Sequence, residues 1–160
     1  MDKRTNEKIT SIVIAVLVIV ASLLNSDYKV GAYSECEYYE RLLYPFFHAN
    51  ILHASLNAWC LLSVVFLYDI SILRLNLSYI AAVSVPSFML SDIPTLGMSG
   101  VVFFLFASIS FEVQRKTYYQ SWMLFYLALG FLLPNTNGMI HMYCYVLGLF
   151  YALLNKTIQR

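Results

Sequence analysis

Charge is scarce in this chain. Only 12% of its 160 residues are Asp, Glu, Lys or Arg, where a soluble domain carries about one quarter. Glycine and proline are few, at 6 and 4. No Gly/Ser-rich, Pro-rich or low-complexity tract and no block of like charge interrupts the chain. A flexible linker is therefore excluded, and residues 1–160 read as one domain. The formal net charge of +1 lacks the basic excess that a nucleic-acid partner requires. The three cysteines, Cys36, Cys60 and Cys144, are odd in number and far apart. They make neither a disulfide framework nor a zinc pattern. No nucleotide-binding motif is present, so no cofactor is expected.

What the chain has instead is apolar sequence, 60% of the total. It gathers into six stretches: about Ile9–Leu24, Phe46–Tyr68, Leu75–Leu90, Met98–Phe111, Tyr118–Leu133 and Met139–Leu154. These are continuously apolar rather than alternating, and an open sheet cannot exist in lipid, so helices are expected. Several are shorter than the roughly 20 residues that cross a bilayer core. Local thinning or burial among other helices accommodates short spans. With six spans and a cytoplasmic N-terminus, the inner segments hold Lys3, Arg4, Lys8, Arg74, Arg115, Lys116, Lys156 and Arg160, while the outer ones hold Lys29 and Arg41. That asymmetry obeys the positive-inside rule and puts both termini inside. Met1–Lys8 followed by Ile9–Val20 also has the shape of a signal peptide, but Ala21-Ser22-Leu23 is a poor cleavage site, so a retained span is expected. The outer loop Asn25–Pro45 mixes Tyr33, Tyr38, Tyr39 and Tyr44 with glutamates, a composition suited to the headgroup layer.

Polar side chains inside these stretches are costly and therefore informative. Asn50, His53 and Asn57 fall at helical spacing on one face of the second stretch. Interhelical hydrogen bonding explains such a face as well as catalysis does. Gly97-Met98-Ser99-Gly100 opens the fourth stretch. A helix starting near Ser99 aims unpaired amides and a partial positive charge at whatever lies beside the hydroxyl. A plain N-cap serine is the simpler account of that motif alone. In the sixth stretch His141, Cys144 and Gly148 share a face whose small residues permit close helix approach. A hydroxyl and an imidazole are the minimum for nucleophilic hydrolysis.

The order of these features resembles the rhomboid family of intramembrane serine proteases, over about Arg41 to Gly148. His53 and Asn57 match the family's H-x-x-x-N, and Gly97-Met98-Ser99-Gly100 matches its G-x-S-G. His141 and Gly148 match the ends of its H-x-x-G-x-x-x-G. Phe103 stands where the family carries an aromatic ring stacked on the histidine, and Asp69 matches a common acidic position. The chain departs from the pattern at Glu40-Arg41, where the family has Trp-Arg, at Ile140, and at Cys144, where it has glycine. The sulfur of Cys144 is expected to hold the fourth and sixth spans slightly apart.

The resemblance implies an all-α, compact six-transmembrane-helix bundle that hydrolyses peptide bonds in or near transmembrane segments of other membrane proteins. Ser99 is the implied nucleophile and His141 the base. His53, Asn57, Gly97 and the Ser99 amide are implied to stabilise the oxyanion. No carboxylate is positioned in the sequence to complete a triad, so a Ser–His dyad is expected. The fifth span, with Trp122, Phe125, Tyr126 and Phe131, is the expected lateral gate, and Leu133–Gly138 the expected cap. The short form suits a prokaryotic plasma membrane. Two other readings compete: a catalytically silent rhomboid-like protein that binds or escorts transmembrane segments, and a small transporter. Silent relatives typically lose the serine or the histidine, and both stand here. Transport finds no inverted repeat or matched pair of broken helices in the sequence.

Overall fold

The computed structural model describes residues 3–24, 30–133 and 136–158. Lys29 and Arg160 of the charge argument lie outside them, as do Asn25–Lys29 of the outer loop and Pro134 and Asn135 of the expected cap. Among the described residues the chain is all-helical: α1 (Lys3–Leu24), α2 (Tyr38–Leu43), α3 (Ile51–Leu67), α4 (Ile72–Val83), α5 (Ser99–Ser108), α6 (Lys116–Leu132) and α7 (Gly138–Ile158). Short 3-10 turns occupy Tyr44–Phe46 and Ser87–Met89.

Two of these helices are long and apolar enough to cross a membrane, Arg4–Leu24 and Gly138–Lys156. Tyr38–Phe46 and Ile51–Leu67 make a third if the pair, bent by 79°, is one span. The expected stretches Leu75–Leu90 and Met98–Phe111 are corrected to helices of 12 and 10 residues, about 18 and 15 Å long at 1.5 Å per residue. Pro86 disfavours helical backbone at the residue before it, so α4 stops at Val83 with Ser84 as its C-cap. At the end of α5 the Ser108 hydroxyl donates to the Leu105 carbonyl at 2.7 Å, the kind of local bond that competes with helix continuation. The second stretch is also corrected: its helix begins only at Ile51. Asn50 has extended backbone and caps the helix by accepting the His53 N–H at 2.8 Å, so it does not share the helical face of His53 and Asn57.

Helix α5 is the axis of the bundle. Gly100, Val101, Val102, Phe104, Leu105, Ala107 and Ser108 are all buried, as expected of a helix that is apolar all round. Its most extensive packing is against α7, and it also touches α3 and α4, while α1 lies on α3. The α5–α7 contact is close because Gly148 faces the backbone of Phe104 and the Cβ of Ala107 with no room for a side chain. Above it, Cys144 is fully buried with its sulfur against Gly100.

The two ends of the bundle differ in charge. Arg74 of α4 pairs with Glu112 beyond α5 at 2.9 Å. At the same end Lys8 sits 5.0 Å from the Phe66 ring and Lys156 sits 4.7 Å from the Phe111 ring. At the opposite end Arg41 of α2 donates to the Val85 carbonyl (3.0 Å) and to Ser87 Oγ (2.8 Å). That end also holds the connection before α5. Ala32 and Thr95 form a two-way backbone bridge with both N···O distances 2.9 Å, and the Ser34 hydroxyl donates to Asp92 at 2.8 Å. Of the tyrosines expected at the membrane interface, Tyr38 and Tyr39 are exposed, whereas Tyr44 is buried and donates to the Ala82 carbonyl at 2.9 Å.

Candidate active site

Ser99 is the first residue of α5. The first bond from the helix back across its cap runs from the Val102 N–H to the Met98 carbonyl at 3.1 Å. The amides of Ser99, Gly100 and Val101 precede it and form the open end of the helix. Asn137 starts α7 by accepting the Met139 and Ile140 amides at 3.1 and 3.2 Å. His141 follows within the first turn. Because α5 and α7 pack so closely, Ser99 Oγ and His141 Nε2 meet at 2.7 Å. The sulfur of Cys144, expected to hold these helices slightly apart, leaves that contact formed. The space beside Gly100 accepts the sulfur, and the hydroxyl–imidazole contact closes above it.

The imidazole is packed on one ring face and along its Nδ1 edge. Phe103 stacks on it with ring centroids 4.4 Å apart and an interplanar angle of 23°, as the resemblance implies. A Cβ on Gly130 of α6 would stand 2.9 Å from His141 Nδ1, so glycine there leaves room for the ring. Nδ1 is buried and meets no hydrogen-bond partner among the described residues. The carboxylates nearest in sequence are engaged elsewhere, Asp92 with Ser34 and Glu112 with Arg74. If Nδ1 holds the ring proton, Nε2 is free to accept from the serine hydroxyl, which is the arrangement a general base needs.

The expected oxyanion groups sit together, with one change of role. His53 and Asn57 line the same cavity as Ser99 and His141. One Asn57 amide hydrogen goes to the His53 carbonyl at 3.1 Å, leaving the other for the cavity. Gly97 does not offer its N–H, which donates to the Tyr44 carbonyl at 3.1 Å. Its contribution is shape. It has φ +109°, and a Cβ there would lie 2.8 Å from His53 Cε1. Only glycine adopts that backbone while letting the imidazole pass so near.

Two residues here were not singled out from the sequence. His48 is fully buried and accepts the Met98 N–H at Nε2 (3.3 Å), and its ring meets the edge of His53 at 4.9 Å. All three histidines of the chain thus converge on one turn. A third histidine five residues before His53 in the same apolar run was the available signal. Gly130 carried no signal, because a glycine inside an apolar helix reads as ordinary packing.

Two hollows adjoin the site, and the dyad lines the first of them. One, of about 530 Å³, lies between α3, α5 and α6 and is walled by apolar side chains beyond its polar mouth. α3 and α6 make little contact across it. The other, of about 430 Å³, is bounded by Ala49, Ser91, Pro94, Thr95 and Asn137 and shares His53 and Thr136 with the first. Among the described residues no group of three metal-ligating side chains occurs. Comparison of the chain with protein-family models, curated proteins and solved structures finds no match.

Proposed function

We propose that this chain is a rhomboid-type intramembrane serine endopeptidase that cleaves transmembrane segments of other membrane proteins. The observation that carries the reading is the 2.7 Å contact between Ser99 Oγ and His141 Nε2, at the mouth of an apolar cavity and stacked on Phe103. A serine cap needs no imidazole from a distant helix, and a core histidine needs no open cavity.

In this reading the Ser99 oxygen bonds to the scissile carbonyl carbon while its proton passes to His141 Nε2. The oxyanion forms beside the Ser99 amide, the free Asn57 N–H and the His53 ring. Losing one such donor costs a hydrolase about 3 kcal/mol of transition-state stabilisation. Collapse breaks the C–N bond, and the Nε2 proton leaves with the amine. Water entering through the cleft of Ser91, Thr95 and Asn137 then repeats the steps on the acyl-enzyme and frees the acid. The substrate enters sideways from lipid through the gap between α3 and α6, with Trp122, Phe125 and Tyr126 on the mobile side. The bundle crosses the membrane six times, its short α4 and α5 shielded by longer neighbours, with the Arg74 end in the cytoplasm. The bent α2–α3 unit counts as one crossing.

The test is cleavage of a generic transmembrane substrate by purified, detergent-reconstituted protein, with fluorophosphonate labelling in parallel. Cleavage is expected in the wild type and absent in Ser99→Ala and His141→Ala, with the label on Ser99. A folded wild type that neither cleaves nor labels would overturn the reading in favour of a silent binder of transmembrane segments.

A further inference from the structure

A hollow that the dyad does not line opens at the Arg74 end of the bundle. It has a volume of about 460 Å³ and lies between the end of α3, the connection from α5 to α6 and the start of α6. Tyr68, Tyr118 and Trp122 give it aromatic walls, and Glu112 and Arg115 give it one charge of each sign. These two are three residues apart in the connection, so at most about 11 Å of chain separates them. They do not pair with each other. Glu112 is paired with Arg74 through Oε1, and Arg115 is exposed with no ion-pair partner among the described residues.

The surroundings have the composition of a membrane–water interface. Leu67 and Tyr118 at the rim are 74% and 62% exposed, and tyrosine and tryptophan gather at that interface. Lys8 and Lys156, at the same end, lay their ammonium groups on Phe66 and Phe111. Lysines near helix ends carry their charge to that level.

The two charges decide the occupant. A plain anion suits Arg115 but meets the Glu112 carboxylate. A plain cation suits Glu112 and the rings but meets the guanidinium. A phosphate joined to an ammonium by a short link satisfies both. Arg115 donates to the phosphate oxygens. The ammonium donates to the Glu112 oxygen that Arg74 leaves open and lies against the aromatic walls. We propose that this hollow holds the headgroup of a zwitterionic phospholipid, whose acyl chains run into the bilayer past Leu67 and Tyr118. The proposal rests on the membrane-spanning part of the reading above and not on hydrolysis at Ser99.

The experiment is native mass spectrometry of the purified full chain in detergent, titrated separately with phosphatidylethanolamine and with phosphatidylglycerol of the same acyl chains. One ethanolamine lipid is expected to be retained about tenfold more tightly than the glycerol lipid, the scale of one hydrogen bond between charged groups. Arg115→Gln, at an exposed position, is expected to weaken both lipids by a similar factor. Glu112→Gln is expected to erase the preference without weakening the glycerol lipid. Ser99→Ala should bind as the wild type does. Equal affinity for the two lipids, or a preference that survives Glu112→Gln, or binding that ignores Arg115→Gln, would overturn the headgroup site. Soluble phosphoethanolamine binding as tightly as the lipid would overturn the lipid as its occupant. Carbonate washing of membranes from expressing cells tests the setting separately. A chain released by carbonate would overturn the membrane-spanning reading, whereas a retained chain without the lipid preference would overturn the headgroup site alone.

Discussion

The buried imidazole of His48 accepts the backbone N–H of Met98 at 3.3 Å, one residue ahead of the candidate nucleophile. The donor sits in the turn that sets where Ser99 begins its helix, and the acceptor sits in the turn that leads into His53. One hydrogen bond thus registers the two halves of the site. His48→Ala would strand a buried amide, which costs about 1–3 kcal/mol. We expect a lower melting temperature and a kcat reduced about tenfold with KM little changed. His48→Gln restores an acceptor and should recover part of the rate. A fall in stability with kcat intact would reduce His48 to a packing residue.

Gly97 makes a sharper case. At φ +109° a side chain is strained by about 1–3 kcal/mol, and its Cβ would press on the His53 ring. Gly97→Ala should therefore injure the oxyanion side more than the nucleophile. Turnover of a transmembrane substrate should drop at least tenfold, while the melting temperature shifts by only a few degrees. Equal turnover in Gly97→Ala and wild type would show that His53 has room to move.

The polar residues of the candidate site are more legible in the sequence than the frame that holds them. Ser99, His141, His53 and Asn57 are legible because polar side chains in apolar sequence stand out against their surroundings, and their spacing is a short-range property; Phe103, an apolar residue in an apolar run, is legible only through the family resemblance. Helix ends are less so. The Leu75–Leu90 and Met98–Phe111 stretches stay apolar past the points where Pro86 and Ser108 end the helices. Asn50 falls at helical spacing yet serves as a cap, because a cap residue and the first helical residue look alike in periodicity. The part played by Gly97 is hidden for a different reason. The partner of its N–H is the Tyr44 carbonyl, and no pattern in the side chains records where a distant backbone oxygen points.

The α5–α7 seam predicts how packing transmits to the dyad. Gly148 lies against the Phe104 backbone and Ala107. Overpacking such a seam costs about 1–3 kcal/mol. Gly148→Leu is expected to push the helices apart, lower the melting temperature and abolish fluorophosphonate labelling of Ser99, since the serine and histidine ride on opposite sides. Cys144→Gly should act differently. It removes a fully buried sulfur and puts a glycine in a helix interior, about 1 kcal/mol from the backbone alone, so stability should fall with no gain in rate. A faster Cys144→Gly enzyme would mean that the sulfur does hold the seam open.

At the far end of the bundle, Arg74 is 5% exposed at its side chain and Glu112 is 35% exposed. The guanidinium also lies 5.2 Å from the Tyr151 ring, so it joins α4, the end of α5 and α7. Removing the carboxylate leaves a charge that cannot easily reach water, whereas removing both charges leaves only apolar contacts to repack. Glu112→Gln is expected to lose about 2 kcal/mol, within the range for hydrogen bonds to charged groups, and Arg74→Met with Glu112→Gln to recover much of it. Thermal melts of the three proteins in detergent make the comparison, and the double variant should lie above the single one. Because the pair is distant from Ser99, labelling of the serine below the melting temperature should be the same in all three. If the double variant is the least stable, Arg74 holds the three helices together through its stem and its stacking on Tyr151 rather than through its charge.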